Sequence, residues 1–370
     1  MTVTIRDVAS AAGVSVGSVS RALKNQRGTS DETRQRIRRL ARDMGYDSGR
    51  LRAGNPQRLA FLVHRQHSAF ATNPFFSYVL HWVEEACRAH GVVPTLLTAG
   101  PADPLRELLR LHQPDVLLAA GFFEIEMIEL LDAMDLPLAL IDFWMPGRPS
   151  VNPDNEQGGW LATTHLLKAG RQRVAYLSGS LAHFSIRERE HGYRRALYEH
   201  GVLSDPDLEA VATPGLNVEQ GAAEAARRLL LQPKGVDAIF AFNDAAALSA
   251  LRVCEAMGRR VPDDVAIVGF DDIPAAAAGL IPLTTVRTDL EALGRTGVDL
   301  LVHPQQPPRQ VTLPIELVVR ASCGTAPDAA RSAAVSPLHA RAGPSPFPLP
   351  AEPETTSSRA RRPPASRPRR

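Results

Sequence analysis

"TIRDVASAAGVSVGSVSRALKN" occupies residues 4–25. Inside it, Gly13-Val14-Ser15-Val16-Gly17 fits G-x-S-x-G, the pattern around the nucleophilic serine of many hydrolases. That chemistry needs a strand before the serine and a helix after it. Here the preceding residues read as a helix. Thr4-Ile5-Arg6-Asp7 has the form of a capping box; Ile5, Val8, Ala9 and Ala12 recur at helical spacing, and Gly13 ends the run. No sheet is available to carry a nucleophile elbow, and no Asp or His partner is indicated. The same residues suit a helix–turn–helix. Gly13 permits the turn, and Ser15 caps a second helix with Val16, Val19 and Leu23 on one face. The small Gly17, Ser18 and Ser20 let that helix approach a duplex backbone, and Arg21 can offer its fork to a guanine edge. The competing interpretation is an ordinary helix pair with a basic, solvated face.

Working outward, Ser30 caps a third helix with Asp31 and Glu32 in its first turn and Ile37, Leu40, Ala41 and Met44 as its apolar stripe. Residues 1–58 hold 12 Arg and Lys against 5 Asp and Glu, and residues 326–370 hold 8 Arg against 3 acids. The formal net charge of the 370-residue chain is only +2, so residues 59–325 carry an acidic surplus of ten. A basic head on an acidic body points to a polyanionic partner for the head.

Residues 59–325 alternate between apolar runs and helical segments. The runs are 58–63, 92–97, 116–121, 138–142, 173–179, 238–244 and 265–272; Phe76–His90 and Glu219–Leu231 are two of the helices. Such alternation predicts doubly wound parallel sheets, and the length predicts two α/β lobes. Ten prolines fall in the 45 residues of 326–370, a composition that predicts a disordered tail. Its lack of leucine heptads gives no support for tetramerisation. No run is long and apolar enough to span a membrane, and the N-terminus has no secretory h-region, so a cytoplasmic protein is expected. Cys87, Cys254 and Cys323 are scattered and read as reduced thiols. His64-x-x-His67 raises a metal, but no further ligands cluster with the pair. No Walker loop, H-E-x-x-H or elbow in context suggests an enzyme, and no cofactor is implied.

The stretch 4–25, with "SDETRQRIRRLARDMGY" (30–46), resembles the DNA-binding head of the LacI/GalR family of bacterial transcription regulators. The likeness continues through "DNEQGGWLATTHLLKAGRQRVAYLSG" (154–179), "SIREREHGYRRAL" (185–197), "VPDDVAIVGFDD" (261–272) and "LPIELVVRAS" (313–322). It implies a helix–turn–helix over 1–47, a linker over 48–58 and a two-lobed body like a periplasmic binding protein over 59–325. By this resemblance Val16, Gly17 and Arg21 match base-contacting positions, while Ser15, Ser18 and Ser20 match phosphate-contacting ones. Thr4 joins them on the DNA side. Arg189, Asn243 and Asp271 match positions that contact an effector, commonly a sugar, and Asp154 matches the cleft edge. Phe75, Phe76 and Asp142 follow predicted strands at the ends where α/β sheets bind ligands. Asp244 and Asp272 are expected to order loops, and Phe270 to lie in the core.

The family's functions then follow as expectations. By the resemblance the protein is expected to be a homodimer on a pseudo-palindromic double-stranded operator, a repressor whose DNA affinity follows a small molecule between its lobes, commonly a sugar. A purine or another non-sugar effector, or a protein co-regulator, is the alternative within the family. A solute-binding protein would share the body but lack the head. Two features depart from the family. "DSGRLRAGNPQ" (47–57) is shorter than the usual linker and lacks its Pro-Asn pair, with Gly54 and Pro56 opposing a helix and Leu51 as the remaining minor-groove wedge. Leu216 stands where many members stack an aromatic on the ligand.

Overall fold

The computed structural model describes residues 3–23, 28–44, 46, 56–68, 74–134, 136–304 and 309–324. Leu51, nearly all of the 48–58 linker and the 326–370 tail lie outside the described residues.

The head consists of α1 (Ile5–Ala12), α2 (Val16–Leu23) and α3 (Asp31–Asp43). Its joints are built from the residues that the sequence singles out. Gly13 takes φ 66°, and Gly13 and Val14 donate back to Ser10 and Ala9, closing the end of α1 as a Schellman turn that a side chain at Gly13 would strain. Ser15 Oγ accepts from Ser18 N at 3.1 Å, and Ser30 Oγ accepts from Thr33 N at 3.3 Å. Val8, Val19, Ala22 and Ile37 form the buried centre. Val16 departs from the expected apolar stripe: it is 42% exposed. Two arginines of α3 turn inward. Arg36 Nη2 donates to Ala12 O and Arg38 Nε to Ala22 O, both at 3.2 Å, so each caps the carbonyl end of another helix. Part of the head's basic surplus is therefore spent on folding.

The body holds two six-stranded sheets. The first contains β1 (Arg58–His64), β2 (Val93–Ala99), β3 (Val116–Ala120), β4 (Leu138–Ile141), β5 (Ser150–Pro153) and β11 (Gln310–Leu313), in the order β11-β5-β4-β3-β1-β2. All its neighbours are parallel; Phe61, for example, sits opposite Leu96 on one side and Leu118 on the other. The second contains β6 (Val174–Ser178), β7 (Glu209–Val211), β8 (Ala238–Ala241), β9 (Ala266–Asp271), β10 (Thr284–Thr288) and β12 (Ile315–Val318), in the order β12-β10-β9-β8-β6-β7. The connecting helices are α4 (Phe75–His90), α5 (Leu105–His112), α6 (Ile125–Ala133), α7 (Asn155–Lys168), α8 (Phe184–Glu199), α9 (Val218–Leu230), α10 (Asp244–Ala256), α11 (Pro274–Ala278) and α12 (Leu290–Val302). β3, β4, β6, β8 and β9 are buried along their whole length, as strands covered on both faces must be.

The expected mixed α/β class with a helical head is what the chain adopts, with one exception to its parallel sheets. β12 runs antiparallel to β10, with Val286 opposite Leu317. The chain also divides its last strands between the lobes: β11 joins the first sheet and β12 the second, with Pro314 between them, where a missing N–H interrupts any shared ladder. α12 follows the second sheet's β10 yet packs on α4, β3, β4 and β5 of the first lobe. The expected run 238–244 is shorter as a strand, because Asn243 leaves β8 to cap α10.

One crossing positions the site. A Cβ on Gly159 would lie 2.2 Å from Arg189 O, and one on Gly192 would lie 2.0 Å from Glu156 O. The backbones of α7 and α8 therefore touch, which brings Arg189 on α8 against Asn155 on α7.

Candidate functional site

On the head, α2 leaves its small and polar face exposed. Val16, Gly17 and Arg21 are exposed, and Ser18 and Ser20 are half-buried. Ser15 Oγ lies 2.9 Å from Ser18 Oγ, and Arg21 Nη2 donates to Ser18 Oγ at 3.4 Å. The guanidinium also lies 3.4 Å from where a Gly17 Cβ would stand. Arg21 thus folds back over the notch that Gly17 leaves. Thr4 caps α1: its Oγ1 and backbone N both donate to Asp7 Oδ2 at 2.7 Å. Those bonds hold the exposed Asp7 carboxyl below its ordinary value.

In the body, four of the seven expected effector residues meet where the lobes face each other. Arg189 is 3% exposed, and its guanidinium lies over the Phe270 ring at 3.6 Å. It donates from Nε to Asn155 Oδ1 at 2.8 Å and from Nη1 to Phe242 O at 2.5 Å, with Nη2 3.5 Å from Asp271 Oδ1. Asp142, from the first lobe, accepts from Ser185 Oγ of α8 at 3.3 Å. Asn243 is buried beside this group and spends its Oδ1 on Ala246 N at 2.9 Å, capping α10. Asp142 and Asp271 adopt φ of 54° and 108°, a costly backbone for residues with a Cβ. Burial pushes the Asp142 carboxyl up to about 6 against the pull of Arg189 and Ser185. Burial, aided by Asp142, pushes Asp271 up to about 7 against the pull of Arg189. Asp142 Oδ1 and Asp271 Oδ1 are both buried without a hydrogen bond among the described residues. Two acceptors with unused lone pairs flank one guanidinium that spends Nε and Nη1 on Asn155 and Phe242 and keeps Nη2 for Asp271. Chemically, the arrangement offers two buried carboxyl acceptors beside one cationic donor group.

The other expected residues sit differently. Asp154 is half-buried and caps α7 through Gln157 N at 3.1 Å. Phe75 packs into the first lobe's core; Phe76 shares that core but also reaches Gly121 and the His67 ring, 5.6 Å away. Asp244 accepts from Ile273 N at 2.9 Å and Thr285 Oγ1 at 2.6 Å, while Asp272 accepts from Arg287 at 2.7 Å and Arg320 at 2.6 Å, so both order loops. Leu216 is exposed at 42%, just before the α9 cap Asn217.

Sequence reasoning missed several participants. Asn155, Ser185 and the Phe242 carbonyl carry no motif, and Phe270 is core and at the same time the platform under Arg189. Trp144 of the first lobe stacks on Phe184 of the second at 6.2 Å and 25°. His64 and His67 are joined by His183 across the lobes, with the His67 and His183 rings 4.8 Å apart. No group of three metal-ligating side chains is arranged to hold an ion among the described residues. A hollow of about 380 Å³ lined by Thr296, Asp299, Leu300, His303 and Arg309 lies at α12, apart from this chemistry.

Comparison with known proteins connects both regions to one set of relatives. Residues 4–48 match the family described as bacterial regulatory proteins, lacI family, and residues 163–323 match a periplasmic binding protein-like domain. The chain is 31% identical over 319 residues to the HTH-type transcriptional repressor PurR of Photobacterium profundum, covering 81% of this chain and 91% of that protein. It is 32% identical over 340 residues to the HTH-type transcriptional regulator DegA of Bacillus subtilis, covering 87% and 98%. Among solved structures, a transcriptional regulator CelR–cellobiose complex is similar at 29% identity with a TM-score of 0.67, over 86% of this chain and 99% of that one. No described helix is long and apolar enough to cross a membrane.

Proposed function

The chain belongs to the lacI family of bacterial regulatory proteins, and from that premise we propose that it is a homodimeric repressor whose operator binding is controlled by a sugar held between its lobes. Two symmetry-related copies of α2 enter successive major grooves of a pseudo-palindromic site. Val16 meets a thymine methyl and Arg21 a guanine, with Ser15, Ser18 and Ser20 on phosphates. Gly17 adds no base contact of its own.

The observation that carries the effector reading is the pair of buried carboxylate oxygens on Asp142 and Asp271 that accept no hydrogen bond among the described residues, Asp271 Oδ1 having only the Arg189 ion pair at 3.5 Å. Sugar hydroxyls supply donors to both, one on each lobe, and Asn243 and Arg189 complete the set. The fit of these acceptors to a hydroxyl-rich ligand is supported by the likeness to a regulator solved with cellobiose. A ligand that bridges the lobes acts by its different affinity for the open and closed arrangements, and that difference is transmitted to the heads.

The test has two stages. The full-length protein selects duplexes from a random pool, and the selected site is then challenged with sugars, polyols, sugar phosphates and purines, reading thermal shift and DNA affinity together. Neutral sugars or polyols are expected to shift both; a response confined to purines or phosphorylated compounds overturns the sugar assignment. Arg21→Ala is expected to lose about 1–3 kcal/mol on the selected site and little on random DNA. An equal loss on both removes the base contact.

A further inference from the structure

The contacts between the lobes include a cluster that the effector reading does not use. It is centred on Gln66, in the turn after β1. Its side-chain Nε2 lies 3.2 Å from His67 Nε2 and 3.4 Å from His183 Nε2, and its backbone N donates to His64 Nδ1 at 3.2 Å. His64 and His67 belong to the first lobe, and His183 is the residue that opens α8 in the second. The Phe122 ring, from the loop after β3, lies 4.8 Å from the His183 ring, and Phe76 closes the other side against His67. One primary amide has two N–H groups, and here each meets an imidazole nitrogen on a different lobe. Both nitrogens must then be lone-pair acceptors, so both rings are neutral with the proton on Nδ1.

We infer that Gln66, His67 and His183 form a latch that holds the lobes together only while both imidazoles are neutral, so that protons oppose closure of the cleft. Protonating either ring turns its acceptor into a donor facing the amide N–H, and turning the amide over to offer Oε1 still leaves a buried imidazolium with no carboxylate beside it among the described residues. Protonating both sets two cations against each other in a cluster walled by Phe76 and Phe122. The surroundings offer no relief. Among the described residues neither His67 nor His183 has a carboxylate within ion-pair distance. Glu124, at the start of α6, is 3.1 Å from His64 Nε2 rather than from the other two. Asp103, also on the His64 side, is held by Arg65, and on α8 Arg187 is paired with Glu188. Burial first, then the neighbouring imidazoles, keeps His67 well below its ordinary 6.5, and burial with His64 holds His183 down to about 4.

The sign follows from those directions. Above 6.5 the rings are neutral whether the lobes are open or closed, and closing releases no proton. Below 6.5 the open state binds protons that closing must expel, so the closed-to-open ratio falls by up to ~tenfold per pH unit for each titrating ring. Asp142 and Asp271, raised to about 6 and about 7 where the lobes meet, act in the opposite sense, because acid discharges them. The consequence for regulation rests on the cleft being the effector site. The latch itself does not, and its test uses no effector.

The experiment measures lobe separation by pulsed electron-spin resonance in the full chain, with nitroxides at Leu111→Cys and Leu203→Cys. These positions are 78% and 91% exposed on the first and second lobes. The native Cys87, Cys254 and Cys323 are buried, and labelled chains are diluted with unlabelled protein. Between about pH 7.5 and about pH 5 the share of the short distance in the wild type is expected to fall relative to that in His67→Gln/His183→Gln, in which Asp142 and Asp271 act alone. That variant is expected to gain the short distance on acidification, and Gln66→Ala to show the long distance already at about pH 7.5. A double variant whose response to pH matches that of the wild type overturns the latch. So does a Gln66→Ala chain that keeps the wild-type distance at about pH 7.5.

Discussion

Asp271 is a carboxylate placed where its charge is disfavoured. It ends β9 at φ 108°, is 4% exposed, and shares Arg189 with Asp142. Burial is the largest influence, and it raises the group to about 7 from an ordinary 3.8. A raised carboxylate means that the folded chain binds a proton more tightly than the unfolded chain. Its contribution is most favourable below 3.8 and is lost at about 1.4 kcal/mol per pH unit as pH climbs toward 7. Asp271→Asn removes that loss while keeping a residue that tolerates positive φ. The variant's melting temperature is expected to rise relative to wild type between about pH 5 and about pH 7.5. Parallel curves across that range would mean that Asp271 is ionised without penalty. The side chain's identity was legible in the sequence, but its unused oxygen was not, because that depends on where Arg189 and Asp142 come to rest.

At the scale of elements, the crossing of α7 and α8 decides where the polar side chains of the second lobe go. Gly192 sits 2.0 Å, measured from a built Cβ, from the carbonyl of Glu156, and that atom is backbone rather than a movable side-chain end. Gly192→Ala must separate the helices. It is expected to cost more than the ~1–3 kcal/mol typical of overpacking and to loosen the Arg189–Asn155 bond, as measured by urea unfolding. A change below ~1 kcal/mol would show that the crossing is compliant. Buried central strands such as β3, β6 and β9 were legible because a strand covered on both faces must be apolar throughout. β5, β7, β10, β11 and β12 were not, since all are at most five residues long and carry Ser, Thr, Gln or Glu. Their pairing partners, rather than their own composition, make them strands.

At the scale of the molecule, the lobes are not consecutive stretches of chain. α12 and β11 return to the first lobe after the second has been built, and β12 then crosses back to finish the second. A chain ending at Asp289 therefore strips a strand from each sheet and uncovers α4, where Leu293 and Val298 share a core with Val79 and Val83. Loss of soluble expression and of a cooperative melt is the expected result. Two independent transitions from that truncation would show that the lobes fold without their exchanged ends.

The sequence by itself determined the helical head, down to Gly13, Ser15 and Ser30 at its joints, because caps and turns are local and need only a few neighbouring residues. It also determined that alternating apolar runs would build parallel sheets, because burial on two faces is written into composition. G-x-S-x-G had no meaning apart from the helix in front of it. Only the tertiary structure decided that Val16 would be exposed, that Asp142 and Asp271 would come to Arg189 from different lobes, and that Gln66 would reach two imidazoles on different lobes. These are contacts between residues 40 to 130 positions apart, as with Asp142–Ser185 and Gln66–His183, and no periodicity or spacing encodes them. They follow from how whole elements pack.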